Sequence, residues 1–242
     1  MNSNGCIDIG NTRVKIGLFV KEQLIESVQF ENSEQEKILA YLTNQKMKNI
    51  IFSTVIDPLP MAIGGFLKHH KSVLQLTHET PLPIRNSYNT PNTLGKDRLA
   101  AVLGAYALFP GANCLIIDSG TCITYDFLSA DATYLGGNIS PGWQMRLDAM
   151  AHFTNKLPRP EPQIPDLQIG NSTKSALQNG AYFGLLFEIE GYIQKVKEKY
   201  EPVNVLLTGG DADFFAKNVK SQIFVNQNLV LQGLNKILTY NV

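Results

Sequence analysis

The chain has 242 residues, 44% of them apolar, and its formal net charge is zero. This length favours two compact halves. The neutral balance, with no long run of one sign, argues against binding to nucleic acid or to a membrane surface. Because the first residues lack the cationic start and apolar core of a signal peptide, we expect a cytoplasmic protein.

The cysteines and histidines show no recognisable disulfide or metal-binding pattern. Cys6, Cys114 and Cys122 are odd in number and contain no C-x-x-C pair. We therefore expect free thiols in a reducing compartment rather than disulfides. The four histidines show no metal-ligand spacing.

The first half of the chain alternates between strand and helix patterns. Its first strand begins at Cys6, is interrupted by a polar turn and resumes at Val14. The pattern then predicts these elements in order: strand 24–30, helix 33–44, strand 49–55, helix 58–70, strand 72–77 and helix 96–109.

From residue 114 the chain begins a similar pattern again. An apolar strand runs into a polar turn, and two further strands follow before a helix. The predicted elements are strands 114–117, 122–128 and 133–139, helix 143–153, a proline-rich link 157–165, helix 172–200, strand 203–207 and helix 229–238.

The two polar turns are similar to each other. The first reads Asp8-x-Gly10-Asn11-Thr12 and the second Asp118-x-Gly120-Thr121. One such turn is consistent with an ordinary hairpin, but two in equivalent places indicate a duplicated unit. Glycine lets the backbone approach phosphate oxygens, and N–H groups and hydroxyls donate to them. An aspartate at the strand end can hold Mg²⁺ beside those phosphates.

Two further segments carry chemistry-bearing residues. Gly209 and Gly210 follow a predicted strand, which fits a backbone that passes close to a nucleoside, although such junctions are common. Asp97 and Arg98 open the predicted helix 96–109. In a purely structural interpretation, the helix dipole favours the acid and the arginine beside it is exposed. Alternatively, Asp97 accepts a proton from an alcohol that attacks phosphorus, and Arg98 pairs with a carboxylate.

These segments resemble a known superfamily and, more closely, one family in it. The two turns and the glycine pair resemble the phosphate and adenosine loops of the acetate and sugar kinase, heat-shock and actin superfamily. Further motifs resemble type III pantothenate kinases, in order and with compatible spacing. They are Tyr88-x-x-Pro91-x-x-Leu94-Gly95-x-Asp97-Arg98, Asp118-Ser-Gly-Thr-Cys-Ile-Thr124-x-Asp126, Gly136-Gly-Asn-Ile-Ser-Pro141-Gly142 and Gly170-Asn-Ser-Thr173 with Gly180.

The resemblance implies a fold and a reaction. The fold is α/β, with two ribonuclease H-like domains, here expected at residues 1–112 and 113–242, and a nucleotide cleft between them. The reaction is transfer of the γ-phosphoryl group of ATP to pantothenate, an alcohol that bears a carboxylate. The product is 4′-phosphopantothenate, and this is the first step of coenzyme A biosynthesis. The resemblance also implies a homodimer, with the pantothenate pocket at its interface.

The resemblance further implies residue roles. Asp97 is the expected general base, Asp8 positions Mg²⁺-ATP, and Asp118 binds an activating monovalent cation, K⁺ or NH₄⁺. Lys15 is a further ATP contact unless the strand alternation turns it to solvent, and Thr173 a pantothenate contact unless it only caps its helix. The expected ATP contacts are Asp8, Gly10, Asn11, Thr12, Lys15, Thr121, Gly209 and Gly210, and the expected pantothenate contacts are Tyr88, Gly95, Lys96, Asp97, Arg98 and Thr173.

Two other functions remain open from the sequence. One is a non-catalytic family member that acts as a transcriptional accessory factor, which we would expect to lack an acid at position 8 or 97. The other is a superfamily phosphatase or a kinase for another small acid. A phosphatase would not need the segment from Tyr88 to Arg98.

Overall fold

The computed structural model describes residues 3–166 and 169–242, and its contacts divide the chain into two units. Unit 1 comprises Met1–Pro110, Ala132–Tyr134 and Asn228–Val242, and unit 2 comprises Gly111–Asp131 and Leu135–Gln227. Among the described helices, none is both long enough and apolar enough to cross a membrane.

Unit 1 is built on a five-stranded sheet covered by helices. The elements are β1 (Ser3–Ile9), β2 (Arg13–Val20), β3 (Gln23–Glu31), α1 (Gln35–Asn44), β4 (Met47–Thr54), α2 (Met61–His69), β5 (Val73–Gln75), β6 (Arg85–Asn86), a 3₁₀ turn (Pro91–Thr93), α3 (Lys96–Leu108) and, at the end of the chain, α7 (Leu229–Asn241). The strands of the sheet lie in the order β3-β2-β1-β4-β5. Ile7 and Ile9 of β1 and Ile16 of β2 are fully buried in its core, against Ile38 and Ile63 of the covering helices.

Unit 2 is built on the second sheet and on one long helix. The elements are β7 (Asn113–Ser119), β8 (Cys122–Ser129), β9 (Thr133–Pro141), α4 (Trp143–His152), α5 (Thr173–Tyr200), β10 (Val203–Thr208), α6 (Ala212–Ala216) and β11 (Phe224–Val225). The strands lie in the order β11-β10-β7-β8-β9, and one side of α5 packs into the core. Trp143, Tyr182 and Phe215 pack together there. β6 of unit 1 pairs with Thr133 and Tyr134, which also cluster with unit 1.

The two sheets repeat one topology. If β7 to β11 are matched to β1 to β5, both sheets have the same strand order, with an antiparallel hairpin beside a parallel neighbour. Asp8 and Asp118 lie in the matching strands β1 and β7. The internal repeat inferred from the two polar turns is therefore a repeat of structure.

The expected second domain, residues 113–242, differs from the observed units at its carboxyl end. Residues 228–242 form α7, which clusters with unit 1. The physical reason is close packing between α7 and α3. A Cβ on Gly233 would overlap the carbonyl oxygen of Ala100, and a Cβ on Gly104 would overlap that of Leu229. Only glycine lets these two backbones approach so closely.

We expect Gly233→Ala to destabilise unit 1, because the added methyl group meets backbone that cannot move aside cheaply. The loss should be about 1–3 kcal/mol in the free energy of unfolding, as is usual for overpacking. Denaturant titration followed by circular dichroism measures it.

The matched control is Gly65→Ala on α2, where a Cβ would have no neighbour within 4 Å. There the higher helix propensity of alanine should raise stability by up to about 1 kcal/mol. Equal unfolding free energies for the two variants would contradict the proposed close contact.

Candidate active site

Asp8 lies near the end of the central strand of unit 1, between two polar neighbours. Strand register pairs it with Lys15 of β2 on one side and with Ser53 of β4 on the other. The Ser53 hydroxyl, which is buried, donates to Asp8 Oδ1 at 2.8 Å. Lys15 therefore lies on the same sheet face as Asp8.

The electrostatic environment of Asp8 is unusual for an aspartate. Desolvation by the surrounding protein raises its pKa to about 6, although the Ser53 hydrogen bond acts in the opposite direction. The negative charge of Asp97 raises the pKa further and the positive charge of Lys15 lowers it. The predicted base Asp97 and the predicted metal ligand Asp8 are thus near enough to repel each other.

Asp97 is held in place by the first turn of α3. Its Oδ1 accepts a hydrogen bond from the backbone N–H of Arg98 at 2.8 Å, so the carboxyl lies at the positive end of the helix. Gly95 precedes the helix, and a Cβ there would lie only 2.6 Å from Asp97 Oδ1. The glycine therefore leaves room for this carboxyl. Lys96 donates to the Leu94 carbonyl at 2.9 Å, and burial lowers its pKa.

Arg98 is buried, whereas the purely structural interpretation of this helix start expected an exposed arginine. Its guanidinium lies over the Tyr88 ring, 5.7 Å from the centroid, and only 6% of the residue is exposed. Tyr88 in turn lies parallel to Tyr134, with the ring centroids 6.1 Å apart. The ring restricts the orientation of the guanidinium, and an oriented guanidinium can pair with a carboxylate through two parallel hydrogen bonds. This geometry suits a carboxylate-binding role for Arg98.

The turn after β1 is closed by its own backbone. The Gly10 N–H donates to the Arg13 carbonyl at 2.9 Å, and Gly120 in unit 2 donates likewise to Cys122 at 3.0 Å. Both glycine N–H groups therefore form hydrogen bonds within their own hairpins. Asn11 and Thr12 are exposed in the first turn, and Thr121 is exposed in the second.

In unit 2, Asp118 lies against the glycine that follows β10. Gly209 has φ +95°, and a Cβ there would overlap the Asp118 carboxyl as well as the Ser119 carbonyl. The next residues continue this contact, since Asp211 N donates to Ser119 O at 3.0 Å. Gly209 is thus required both by its backbone angle and by its neighbour. Gly210 is exposed and open to solvent, with no atom within 4 Å of a Cβ built there.

Thr173 is the first residue of α5, and its side chain is not the helix cap. Ser172 is the N-cap and forms a capping box with Ser175. Thr173 is exposed beside this cap. The capping alternative thus applies to Ser172, and Thr173 remains available for a pantothenate contact.

Sequence reasoning missed three residues that support this site. Ser53 donates to Asp8, Asn32 contacts the turn after β1, and Tyr134 lies beside Tyr88. Each is distant in sequence from the residue it contacts. The only available signal was a polar residue in or after a predicted apolar strand, which is too common to be specific.

Comparisons with known proteins identify the family of this chain. The family model described as type III pantothenate kinase matches residues 6–195. A relative named type III pantothenate kinase from Bacteroides fragilis is 44% identical over 240 residues, which cover 98% of each chain.

Two solved structures share the fold at low sequence identity. One is described as a Baf family transcriptional activator from Campylobacter jejuni; it has a TM-score of 0.63 and 23% identity, and the match covers 98% of each chain. The other is an inorganic polyphosphate/ATP-glucomannokinase from Arthrobacter, with a TM-score of 0.54, 14% identity and complete coverage of both chains. The fold is therefore the duplicated ribonuclease H-like fold of the actin-like ATPases and sugar kinases, and the chain belongs to the type III pantothenate kinase family.

Proposed function

We propose that this protein transfers the γ-phosphoryl group of ATP to the terminal hydroxyl of pantothenate in the cytoplasm, giving 4′-phosphopantothenate for coenzyme A biosynthesis. The observation that carries the proposal is the Asp97 carboxyl at the start of α3, near Asp8 and next to the buried Arg98. Because both acids are present, a non-catalytic role as a transcriptional accessory factor is not favoured.

Asp97 would act as general base in unit 1. Its carboxyl would take the proton from the pantothenate hydroxyl while that oxygen attacks the γ-phosphorus and ADP leaves. Arg98 would pair with the pantothenate carboxylate through two parallel hydrogen bonds, and Tyr88 keeps its guanidinium in place. Gly95 and Lys96 would complete this part of the pantothenate pocket.

The residues around Asp8 fit a magnesium ion. Asp8 and Asp97 repel each other in unit 1, and a divalent cation near them would relieve that repulsion. Across residues 3–166 and 169–242 there is no group of three or more His, Cys, Asp or Glu side chains that could hold a metal. Mg²⁺ is usually held by one or two carboxylates together with substrate phosphates, and Asp8 would supply such a carboxylate. When bound, Mg²⁺ supplies charge neutralisation at the phosphates.

The other roles follow the family resemblance. Gly10, Asn11, Thr12 and Lys15 of unit 1 would contact the ATP phosphates. In unit 2, Thr121, Gly209 and Gly210 would contact ATP, and Asp118 would bind K⁺ or NH₄⁺. We further propose a homodimer in which Thr173 contacts pantothenate.

The assay that tests the reaction is ADP release by the purified protein with ATP, Mg²⁺ and K⁺. We expect release to depend on added pantothenate and not on another hydroxy acid such as glycerate. ADP release without dependence on pantothenate would instead support a kinase for another acid or an ATPase.

We expect Asp97→Asn to lower kcat by roughly two to four orders of magnitude, because it removes the proton acceptor and keeps the shape of the side chain. Binding of ADP, measured by calorimetry, should barely change. The control Glu79→Gln removes an exposed carboxylate of unit 1 and should keep full turnover. Near-normal kcat in Asp97→Asn would overturn the assignment.

We expect Asp8→Asn to stabilise the ligand-free protein in a pH-dependent way. The pKa of Asp8 rises from 3.8 in a model peptide to about 6 in the folded protein. Between these values the folded protein binds a proton that the unfolded chain has released, so wild-type stability falls as pH rises through that window. The variant lacks this loss. It should exceed wild type by roughly 3 kcal/mol above pH 7, the free energy that corresponds to the difference between pKa values of 3.8 and about 6.

The stability advantage of Asp8→Asn should shrink towards pH 4, where wild-type Asp8 is protonated in the folded state. Denaturant titrations of both proteins at several pH values measure the difference in unfolding free energy. A stability difference that stays constant with pH would mean that the titration of Asp8 does not cause it.

We expect turnover to be low in Na⁺ or Tris buffer and to be restored by K⁺ or NH₄⁺, if Asp118 binds a monovalent cation. Asp118→Asn should lose activity together with most of the response to K⁺. The titration is made at constant ionic strength, because screening alone alters rates. A wild-type rate independent of K⁺ would rule out this role for Asp118.

A further inference from the structure

One residue, Asn32, contacts most of the turn after β1 through its side chain and its backbone N–H. The Asn32 amide nitrogen donates to the carbonyl oxygens of Gly10 at 3.0 Å and Asn11 at 2.9 Å. The backbone N–H of Asn32 donates to the Thr12 carbonyl at 2.9 Å. Three consecutive carbonyls of the predicted phosphate turn are thus bound by a single residue that lies 20 positions or more further along the chain.

Asn32 is itself fixed from the other side. Its carbonyl accepts a hydrogen bond from the Gln35 amide at 2.5 Å, and Gln35 Oε1 accepts one from the backbone of Ala62 at 3.0 Å, near the start of α2. The two carbonyl acceptors define which end of the Asn32 amide is nitrogen. The turn is therefore tied through Asn32 to α1 and α2.

The orientation of Asn32 has a cost. Its Oδ1 is a buried oxygen without a hydrogen-bond partner in the described part of the chain. A buried unsatisfied acceptor destabilises a protein, and native structures retain few of them. Retention of this one suggests that the orientation of the Asn32 amide matters to function.

The orientation of each carbonyl also fixes the direction of the N–H group in the same peptide unit. In a planar trans peptide the C=O of one residue and the N–H of the next point in opposite directions. With the Gly10 and Asn11 carbonyls held on Asn32, the N–H groups of Asn11 and Thr12 point away from it. Successive N–H groups that face the same side form an anion-binding surface.

We propose that Asn32 is a positioning residue that directs the Asn11 and Thr12 N–H groups towards the β- and γ-phosphates of the nucleotide. The inference rests on the proposed function, because it assigns this turn to ATP. Asn32 does not touch the reacting atoms itself. It acts by holding the carbonyls, whose negative ends would otherwise be free to turn towards the phosphates.

The test compares Asn32→Ala and the near-isosteric Asn32→Asp with wild type. Both variants remove the amide donor, and Asn32→Asp also places a carboxylate opposite the carbonyls. We expect the dissociation constant of ADP and the KM for ATP to rise about tenfold, as for the loss of a hydrogen bond near a charged ligand. The KM for pantothenate should not change.

The control variant is Asn44→Ala, an exposed asparagine at the end of α1, and it should behave like wild type. Adenosine, which lacks phosphates, should bind all variants equally in a competition assay, whereas a general loosening of the protein would weaken adenosine and ADP alike. Equal weakening of both ligands, or unchanged ADP binding, would overturn the inference. If Asn32→Ala does not fold, Asn32→Asp decides by the same comparison.

The same experiment separates this inference from the proposed function. If the wild-type protein shows no pantothenate-dependent ADP release, the proposed reaction fails. The ADP and adenosine affinities would still decide whether Asn32 orients a phosphate-binding turn.

Discussion

The register of three strands in unit 1 is the constraint on which the candidate site depends. β1 pairs with β2 and with β4 so that Lys15, Asp8 and Ser53 lie side by side on one sheet face. A slip by one residue would turn Asp8 to the opposite face and place its neighbours Ile7 and Ile9, which are fully buried, where Asp8 now lies. The hydrophobic core therefore holds the carboxyl in place.

Packing of the helices decides where the second acid lies. α3 carries Asp97 in its first turn and is held against α7 by the glycines at positions 104 and 233. Because α7 comes from the far end of the chain, the position of Asp97 depends on residues more than 120 positions away. A defect in this packing should therefore affect catalysis as well as stability.

Unit 1 keeps two polar groups in unfavourable states. Burial raises the pKa of Asp8, and the buried Asn32 Oδ1 has no hydrogen-bond partner among the described residues. A cation would relieve the first state and a hydrogen-bond donor the second. Perturbed groups of this kind at β1 and beside its turn are typical of a binding site rather than of a solvated surface.

The sequence alone determined the duplicated strand–turn–strand pattern, the acids at positions 8 and 97, and the family, because these depend on local spacing that survives in the linear chain. The order of the strands, the burial of Arg98 and the side of the sheet that Lys15 faces could only be decided by tertiary structure. So could the contacts of Ser53, Asn32 and α7. These depend on hydrogen bonds and packing between residues that are distant in the chain, and their energies are not written in any local pattern.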